Sequence, residues 1–398
     1  MRDLASLLVS GMLLLMAGCG GGGGGGGAAG PDTNVQSVVV SPGPANNVNL
    51  LFTAVTICAP GSTSNCQTID HVLVDTGSSG LRILASQVAP SLALPQQADF
   101  GGNPIVACGQ FVDGYTWGPV KIADVRMAGE LASSVPIQVI ADPAFPTVPA
   151  DCSSTGPAEH TTQALGANGI LGVSVFQQDC GSVCATNLVV GAYYTCPFTG
   201  CQPAQVAVTD QLQNPVGLFA TDNNGVIIAM PAIPASGAPG ARGLLIFGIG
   251  TRSNNGLGSA QIIPVDPSTG TFSTRLNSSV TYANSFIDSG SNGFYFSFPG
   301  LPACTISDPV FHCPATTQTF SAVNQGISGP PSVVSFAVAN ADLLFNSNPG
   351  FFAFNNLAGE GAHASIFDWG LPFFYGRNVF TAIEGQNTPA GLGPYVAY

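Results

Sequence analysis

Lysine is nearly absent from this chain: Lys121 is the only one among 398 residues, and lysine plus arginine number 8 against 21 aspartates and glutamates. The formal charge of -13 leaves no basic surface to neutralise a phosphate backbone, which excludes nucleic acid as a partner. The same deficit argues against a direct electrostatic hold on an anionic lipid surface. Charge of either sign is scarce, at 7% of residues, where an ordinary soluble domain carries about 25%. The surface is therefore built from serine, threonine, asparagine, glutamine and glycine. Metal-site patterns are missing as well. No two cysteines have C-x-x-C spacing, His71, His160, His312 and His363 are scattered, and no H-E-x-x-H occurs. The sequence contains no Walker A loop and no G-x-S-x-G turn. Neither a metal nor a cofactor is expected. Amphipathic helices longer than about three turns are also missing.

What the chain has is glycine (51) and proline (31), spread along its whole length. With few helical periods, that composition predicts a mainly β protein of many short strands and tight turns. Its length exceeds one ordinary core, so two lobes are expected. Val35–Val40, Val48–Ile57, Val120–Met127 and Val135–Ile140 read as strands, and Asp113-Gly114 is a hairpin signal. Residues 177–205 hold four cysteines and read as a stapled surface insertion.

The N-terminus has the form of an export signal. An apolar run from Leu4 to Ala17, too short for the roughly 20 residues that span a bilayer, ends in Leu15-Met16-Ala17-Gly18-Cys19. This resembles the lipobox of bacterial lipoproteins. The resemblance implies removal of residues 1–18, acylation of Cys19 and attachment to a lipid bilayer. Gly20 follows the cysteine where an aspartate would imply inner-membrane retention, so an outer-membrane lipoprotein of the cell envelope is expected, facing the periplasm or the surface. Residues 19–34, with eight consecutive glycines, form a flexible tether. An ordinary signal peptide cut near Gly18 is the other reading.

Ten cysteines remain beyond Cys19, an even number that predicts disulfides in an oxidising compartment. Cys58–Cys66 and Cys304–Cys313 each close a short loop, and Cys108–Cys152 is a further expected pair. Cys180, Cys184, Cys196 and Cys201 allow three pairings.

The informative feature is a repeat. Val72-Leu73-Val74 runs into Asp75-Thr76-Gly77-Ser78-Ser79-Gly80 and then into a second apolar run. Phe286-Ile287 runs into Asp288-Ser289-Gly290-Ser291-Asn292-Gly293 and again into an apolar run. The copies lie about half a chain apart, and turns capped by aspartate alone do not account for their shared apolar flanks.

On these residues the chain resembles the pepsin-like aspartic peptidases. Gly118-Pro119-Val120-Lys121-Ile122-Ala123-Asp124-Val125 is similar to the strand after the family's flap, and Asn168-Gly169-Ile170-Leu171-Gly172-Val173 to the element supporting the first aspartate loop. Leu245-Ile246-Phe247-Gly248 is similar to the opening strand of the second lobe. Tyr375–Phe380 with Gly391-Leu392-Gly393-Pro394 is similar to the closing segment. The resemblance implies a two-lobed acid-protease fold, with an N-terminal lobe over 35–235, a C-terminal lobe over 236–398 and a cleft between them. It implies an aspartic endopeptidase acting on peptide or protein substrates, with Asp75 and Asp288 as the catalytic dyad. Thr76 and Ser289 would bond across the lobe interface, Gly77 and Gly290 would permit close backbone approach, and Ser78 and Ser291 would hydrogen-bond the outer carboxylate oxygens. One carboxyl must keep its proton, so activity is expected to be best in acid. The flap maps to Phe111, Asp113, Gly114 and Tyr115, with Phe111 where the family has tyrosine, and Arg82 stands where it has tryptophan. A catalytically inactive, peptide-binding or partner-binding lipoprotein of the same fold is the alternative, and an envelope structural protein a third.

Overall fold

Short apolar runs bounded by Gly, Pro and Asn form strands here because each can bury one or both faces only against a neighbour. The structure, a computed structural model, describes residues 33–398. Cys19 and the glycine tract lie outside the described residues. The described chain is mainly β, with 41% of the protein in strands and 9% in helices. No described helix is long and apolar enough to cross a membrane.

The first half contributes β1 (Val35–Val40), β2 (Leu51–Cys58), β3 (Cys66–Asp75), β4 (Ser79–Leu84), β5 (Ile105–Gln110), β6 (Tyr115–Met127), β7 (Glu130–Ile140) and β8 (Gly169–Val173). It continues with β9 (Tyr193–Thr195), β10 (Gln202–Pro203), β11 (Gly225–Ala229) and β12 (Ala241–Phe247). The second half contributes β13 (Ile262–Pro264), β14 (Phe272–Leu276), β15 (Val280–Ile287), β16 (Phe294–Phe296), β17 (Gln318–Gln325) and β18 (Ser332–Val338). After these come β19 (Ala358–Gly359), β20 (Ile366–Trp369), β21 (Asn378–Ala382), β22 (Asn387–Thr388), β23 (Gly391–Leu392) and β24 (Tyr395–Ala397). The helices α1 (Thr162–Leu165), α2 (Ser182–Thr186) and α3 (Ala341–Ser347) are all short.

A 15-stranded sheet runs in the order β10-β9-β5-β6-β7-β4-β8-β3-β2-β1-β12-β11-β21-β24-β13, and an added β6–β2 pairing curls its first part back on itself. A seven-stranded sheet, β18-β17-β14-β15-β20-β16-β19, carries the second aspartate loop. Backbone pairing is continuous across the expected lobe boundary at residue 235. Strand β1 pairs with β12 from Val35↔Ile246 to Val40↔Ala241, and β11 pairs with β21 from Gly225↔Ala382 to Ala229↔Asn378. Residues 33–398 form one compact unit.

The main core joins both sheets, with Leu51, Val72, Val74, Leu81 and Leu171 on one side and Phe296, Phe336, Phe367 and Trp369 on the other. Each such side chain contributes about 1.5–3 kcal/mol by leaving water. Phe296 stacks on Phe367 at 4.6 Å, and Phe367 on Trp369 at 4.2 Å. Both β20 aromatics therefore point into this core. Side chains alternate along a strand, so Asp368 between them points the other way.

All ten cysteines pair. The expected Cys58–Cys66, Cys108–Cys152 and Cys304–Cys313 bonds are present, and the four-cysteine segment resolves into the local pairs Cys180–Cys184 and Cys196–Cys201. That segment is more than a surface insertion. Strand β9 pairs with β5, and Tyr193 and Tyr194 are fully buried. It reads as an insertion in sequence because a three-residue strand has too little period to announce itself. Cys108–Cys152 spans 44 residues and Cys58–Cys66 only 8. Loop-closure entropy then sets a rank order. Removing the long bridge by double alanine substitution should cost about 4 kcal/mol and removing the short one about 2.5 kcal/mol. Urea denaturation of the two variants checks this, and equal or inverted losses would contradict it.

Candidate active site: two aspartate loops in an internal repeat

The fully buried Val72 and Val74 bring β3 up to Asp75, and β4 leaves on the far side of the turn. Strand β8 lies between them, parallel to β3 (Val74↔Leu171) and antiparallel to β4 (Leu81↔Leu171). The second copy repeats this arrangement. Strand β20 lies between β15 and β16, parallel to the first (Ile287↔Trp369) and antiparallel to the second (Phe294↔Trp369). Each supporting element carries a glycine under the loop, Gly172 within β8 and Gly370 just after β20. A Cβ at Gly172 would meet the Ser78 carbonyl oxygen at 2.7 Å, and one at Gly370 would meet that of Ser291 at 2.7 Å. The sequence reading found the first supporting element, Gly169–Val173. It passed over its counterpart, Phe367-Asp368-Trp369-Gly370, where an aspartate interrupts the apolar run.

The loops grip each other through their second residues. Thr76 Oγ1 donates to the Ile287 carbonyl (2.9 Å) and accepts from the Ser289 amide (2.9 Å). Ser289 Oγ donates to the Val74 carbonyl (2.7 Å) and accepts from the Thr76 amide (3.2 Å). Serine at 289 thus makes the same two bonds as threonine at 76. Both side chains are buried, so losing either hydroxyl would strand two backbone groups at roughly 1–3 kcal/mol each.

This grip brings Asp75 and Asp288 together over the two glycines. Added Cβ atoms would sit 2.7 Å from Asp288 Cγ at Gly77 and 2.8 Å from Asp75 Oδ1 at Gly290. The point above Gly290 is also 3.1 Å from Asp288 Oδ1, so both carboxylates border it. Each inner oxygen accepts a loop amide, Gly77 N–H to Asp75 Oδ1 (2.7 Å) and Gly290 N–H to Asp288 Oδ1 (2.7 Å). Each outer oxygen accepts a serine hydroxyl, Ser78 on Asp75 Oδ2 (2.5 Å) and Ser291 on Asp288 Oδ2 (2.9 Å). Asp288 lies deep in the molecule while keeping partial solvent contact. Burial, then the Asp75 charge, then that of Asp368, push its carboxyl well above the ordinary range.

The expected flap is the β5–β6 hairpin, closed at its tip by the Phe111 amide donating to the Gly114 carbonyl (2.9 Å). Tyr115 is not free to replace the missing flap tyrosine. Its ring packs edge-on against His160 in a buried cluster with Trp117 and the Cys108–Cys152 bridge. Arg82 lies beneath the hairpin, 5.9 Å from the centre of the Phe111 ring. Its guanidinium donates to Gln138 Oε1 (2.9 Å) and Asp179 Oδ2 (3.0 Å), so its charge is matched there and not at the aspartate pair. Tyr193 donates to the other Asp179 oxygen (2.5 Å), and Gln138 donates to the Ala107 carbonyl on β5 (2.7 Å). Arg82 thereby ties β4 to the hairpin. Its acidic partner lies far along the chain, which hid the pair in the sequence.

A cavity of about 670 Å³ lies elsewhere, between α3, the Phe294 end of β16 and Arg377. Its titratable linings are Tyr375 and Arg377, and no paired carboxylates border it.

The chain belongs to the family described as "Protein of unknown function (DUF3443)", which it matches over residues 30–398. No curated protein matches it.

Beside the β5–β6 hairpin, the Glu159 amide donates to the Tyr115 carbonyl (2.9 Å). Burial, then the Asp113 carboxylate beside it, push its carboxyl up to about 8. In the unfolded chain a glutamate ionises near pH 4.3. Between these values the folded protein holds a proton that the unfolded one lacks, so this group makes stability fall as pH rises, levelling off above about 8. Glu159→Gln should make that slope shallower by about 2–4 kcal/mol between pH 4 and 8 in urea titrations. An unchanged slope would show that Glu159 ionises normally.

Proposed function

We propose that this chain is an aspartic-type endopeptidase of the two-lobed pepsin architecture, with Asp75 and Asp288 as its catalytic dyad in the cleft between lobes. The observation that carries this reading is the meeting of two carboxylates over paired glycines, on duplicated loops locked by reciprocal Thr76–Ser289 bonds. Two carboxylates so placed share one proton, and the direction of the Asp288 shift puts it on that side. A water between them loses a proton to the unprotonated carboxylate as its oxygen attacks a peptide carbonyl carbon. Asp288 gives its proton to the developing oxyanion, forming a neutral tetrahedral diol. Collapse of the diol breaks the C–N bond. The amine nitrogen takes the proton held by the dyad while one diol hydroxyl gives its proton to the other carboxylate, so the pair is left with one proton as at the start. The glycines leave the carboxylates uncovered, because any side chain at 77 or 290 would occupy the space between them.

One observation favours a peptide-binding protein without turnover. The flap tip offers Phe111 and the exposed Val112, and no hydroxyl at the tyrosine position. Peptide-library digestion between acidic and neutral pH separates the two. The peptidase reading expects cleavage that weakens as pH rises through the raised Asp288 ionisation. It also expects a loss of at least about a hundredfold in Asp75→Asn and in Asp288→Asn, with the fold retained. Cleavage that survives either substitution would end the dyad assignment. Peptide binding without cleavage would favour the alternative.

Membrane attachment belongs to the same proposal, supported by the small residues before Cys19 and the glycines after it. Cys19→Ser should move the protein from the membrane to the soluble fraction. A variant that stays membrane-bound, or a mature N-terminus elsewhere, would remove the tether from the model of its action.

A further inference from the structure

The two halves of the site match except beneath the second loop. Strand register assigns the correspondence. Ile170 lies opposite Leu73 on β3 and Arg82 on β4, and Asp368 lies opposite Phe286 on β15 and Tyr295 on β16. Leu73 and Phe286 each stand two residues before their aspartate, and Arg82 and Tyr295 seven after it. Asp368 therefore occupies the position held by aliphatic Ile170 in the other half, and both are buried, at 7% and 3% exposure. The scaffold repeat does not need a carboxyl here, and burying one is costly. No cation pairs with Asp368 among the described residues, and its Oδ1 has no hydrogen-bond partner. The polar side chain that acts on its carboxyl is Ser291, the serine whose hydroxyl donates to Asp288 Oδ2.

We propose that Asp368 is a third carboxyl of this site, a positioning residue that acts through Ser291 to keep the shared proton on the Asp75/Asp288 pair, and so carries peptide hydrolysis towards neutral pH. This rests on the peptidase reading above. The titratable groups facing Asp368 are Asp75 and Asp288 from the two loops and Tyr295 from β16, whose phenol donates to Asn292. As a neutral acid, Asp368 makes no claim on the serine proton and leaves it directed at Asp288. When Asp368 loses its proton to solvent, the Ser291 hydroxyl turns to the new charge. Asp288 then loses a donor and gains a negative neighbour, and both changes make it hold its proton more tightly. Burial, and then the Asp75 charge, raise the Asp368 carboxyl to about 8, with the Ser291 hydroxyl opposing them, so the change falls just above neutrality.

The test uses the full chain. The upper limb of the kcat/KM–pH profile on a cleaved peptide should move to lower pH by about one unit in Asp368→Asn and in Asp368→Leu, and return in Asp368→Glu. Infrared difference spectra of wild type against Asp368→Asn at pH 7 should show one protonated carboxyl C=O band lost. An upper limb unmoved in both variants, with wild-type cleavage intact, overturns the role of Asp368 alone. Absence of that band overturns it whether or not peptides are cleaved. No cleavage by the wild type, with the band present, overturns the peptidase reading and the pH claim while upholding a neutral Asp368 in the site.

Discussion

Two hydroxyl groups hold the candidate site together. Thr76 and Ser289 exchange four hydrogen bonds across the loops, each binding the other's amide and a carbonyl on the strand that leads into the other loop. Because both are buried, no water can replace these bonds, and the loops have no alternative partners. Everything nearby follows from that constraint. The glycines face opposite carboxylates, the outer serines find their carboxylate oxygens, and Asp75 and Asp288 come close enough that one must keep a proton.

The strands beneath the loops make the grip possible. In each half a third strand lies parallel to the incoming strand and antiparallel to the outgoing one, so the aspartate loop is supported from below by a continuous ladder. The apolar flanks of both turns enter a core that includes both sheets. Polar residues break the symmetry where the halves differ. Arg82, matched by Tyr295 in the repeat, ties its strand to the hairpin through Gln138 and Asp179. Asp368, matched by Ile170, places a carboxyl under the second loop. A protein with so few charges has put three of its carboxyls in one place, and their mutual repulsion makes protonation a property of the group.

Much of the fold was legible because it is carried locally. The 35–40 strand has the expected bounds, the Asp113-Gly114 signal sits at a hairpin tip, and short-loop cysteines pair with near neighbours. Segments that depend on distant partners were misread or missed. Tyr193 and Tyr194 looked like part of a surface insertion because β5 and its hairpin, which cover them, lie some 85 residues earlier in the chain. Tyr115 looked available for the flap because nothing in its neighbourhood announces His160 and Trp117 as its packing partners.

The sequence by itself determined the mainly β class, the duplicated aspartate loops and the hydroxyl and glycine positions within them. Each of these is written in a few consecutive residues whose conformational preferences do not need the rest of the chain. Tertiary structure alone decided that the carboxylates meet, that Arg82 is matched by Asp179, and that Asp368 comes to lie beside Asp288, 80 residues away in the chain. Those are encounters between strands paired over long separations. The free energy of such an encounter depends on burial and on neighbouring charge, which no local pattern of residues encodes.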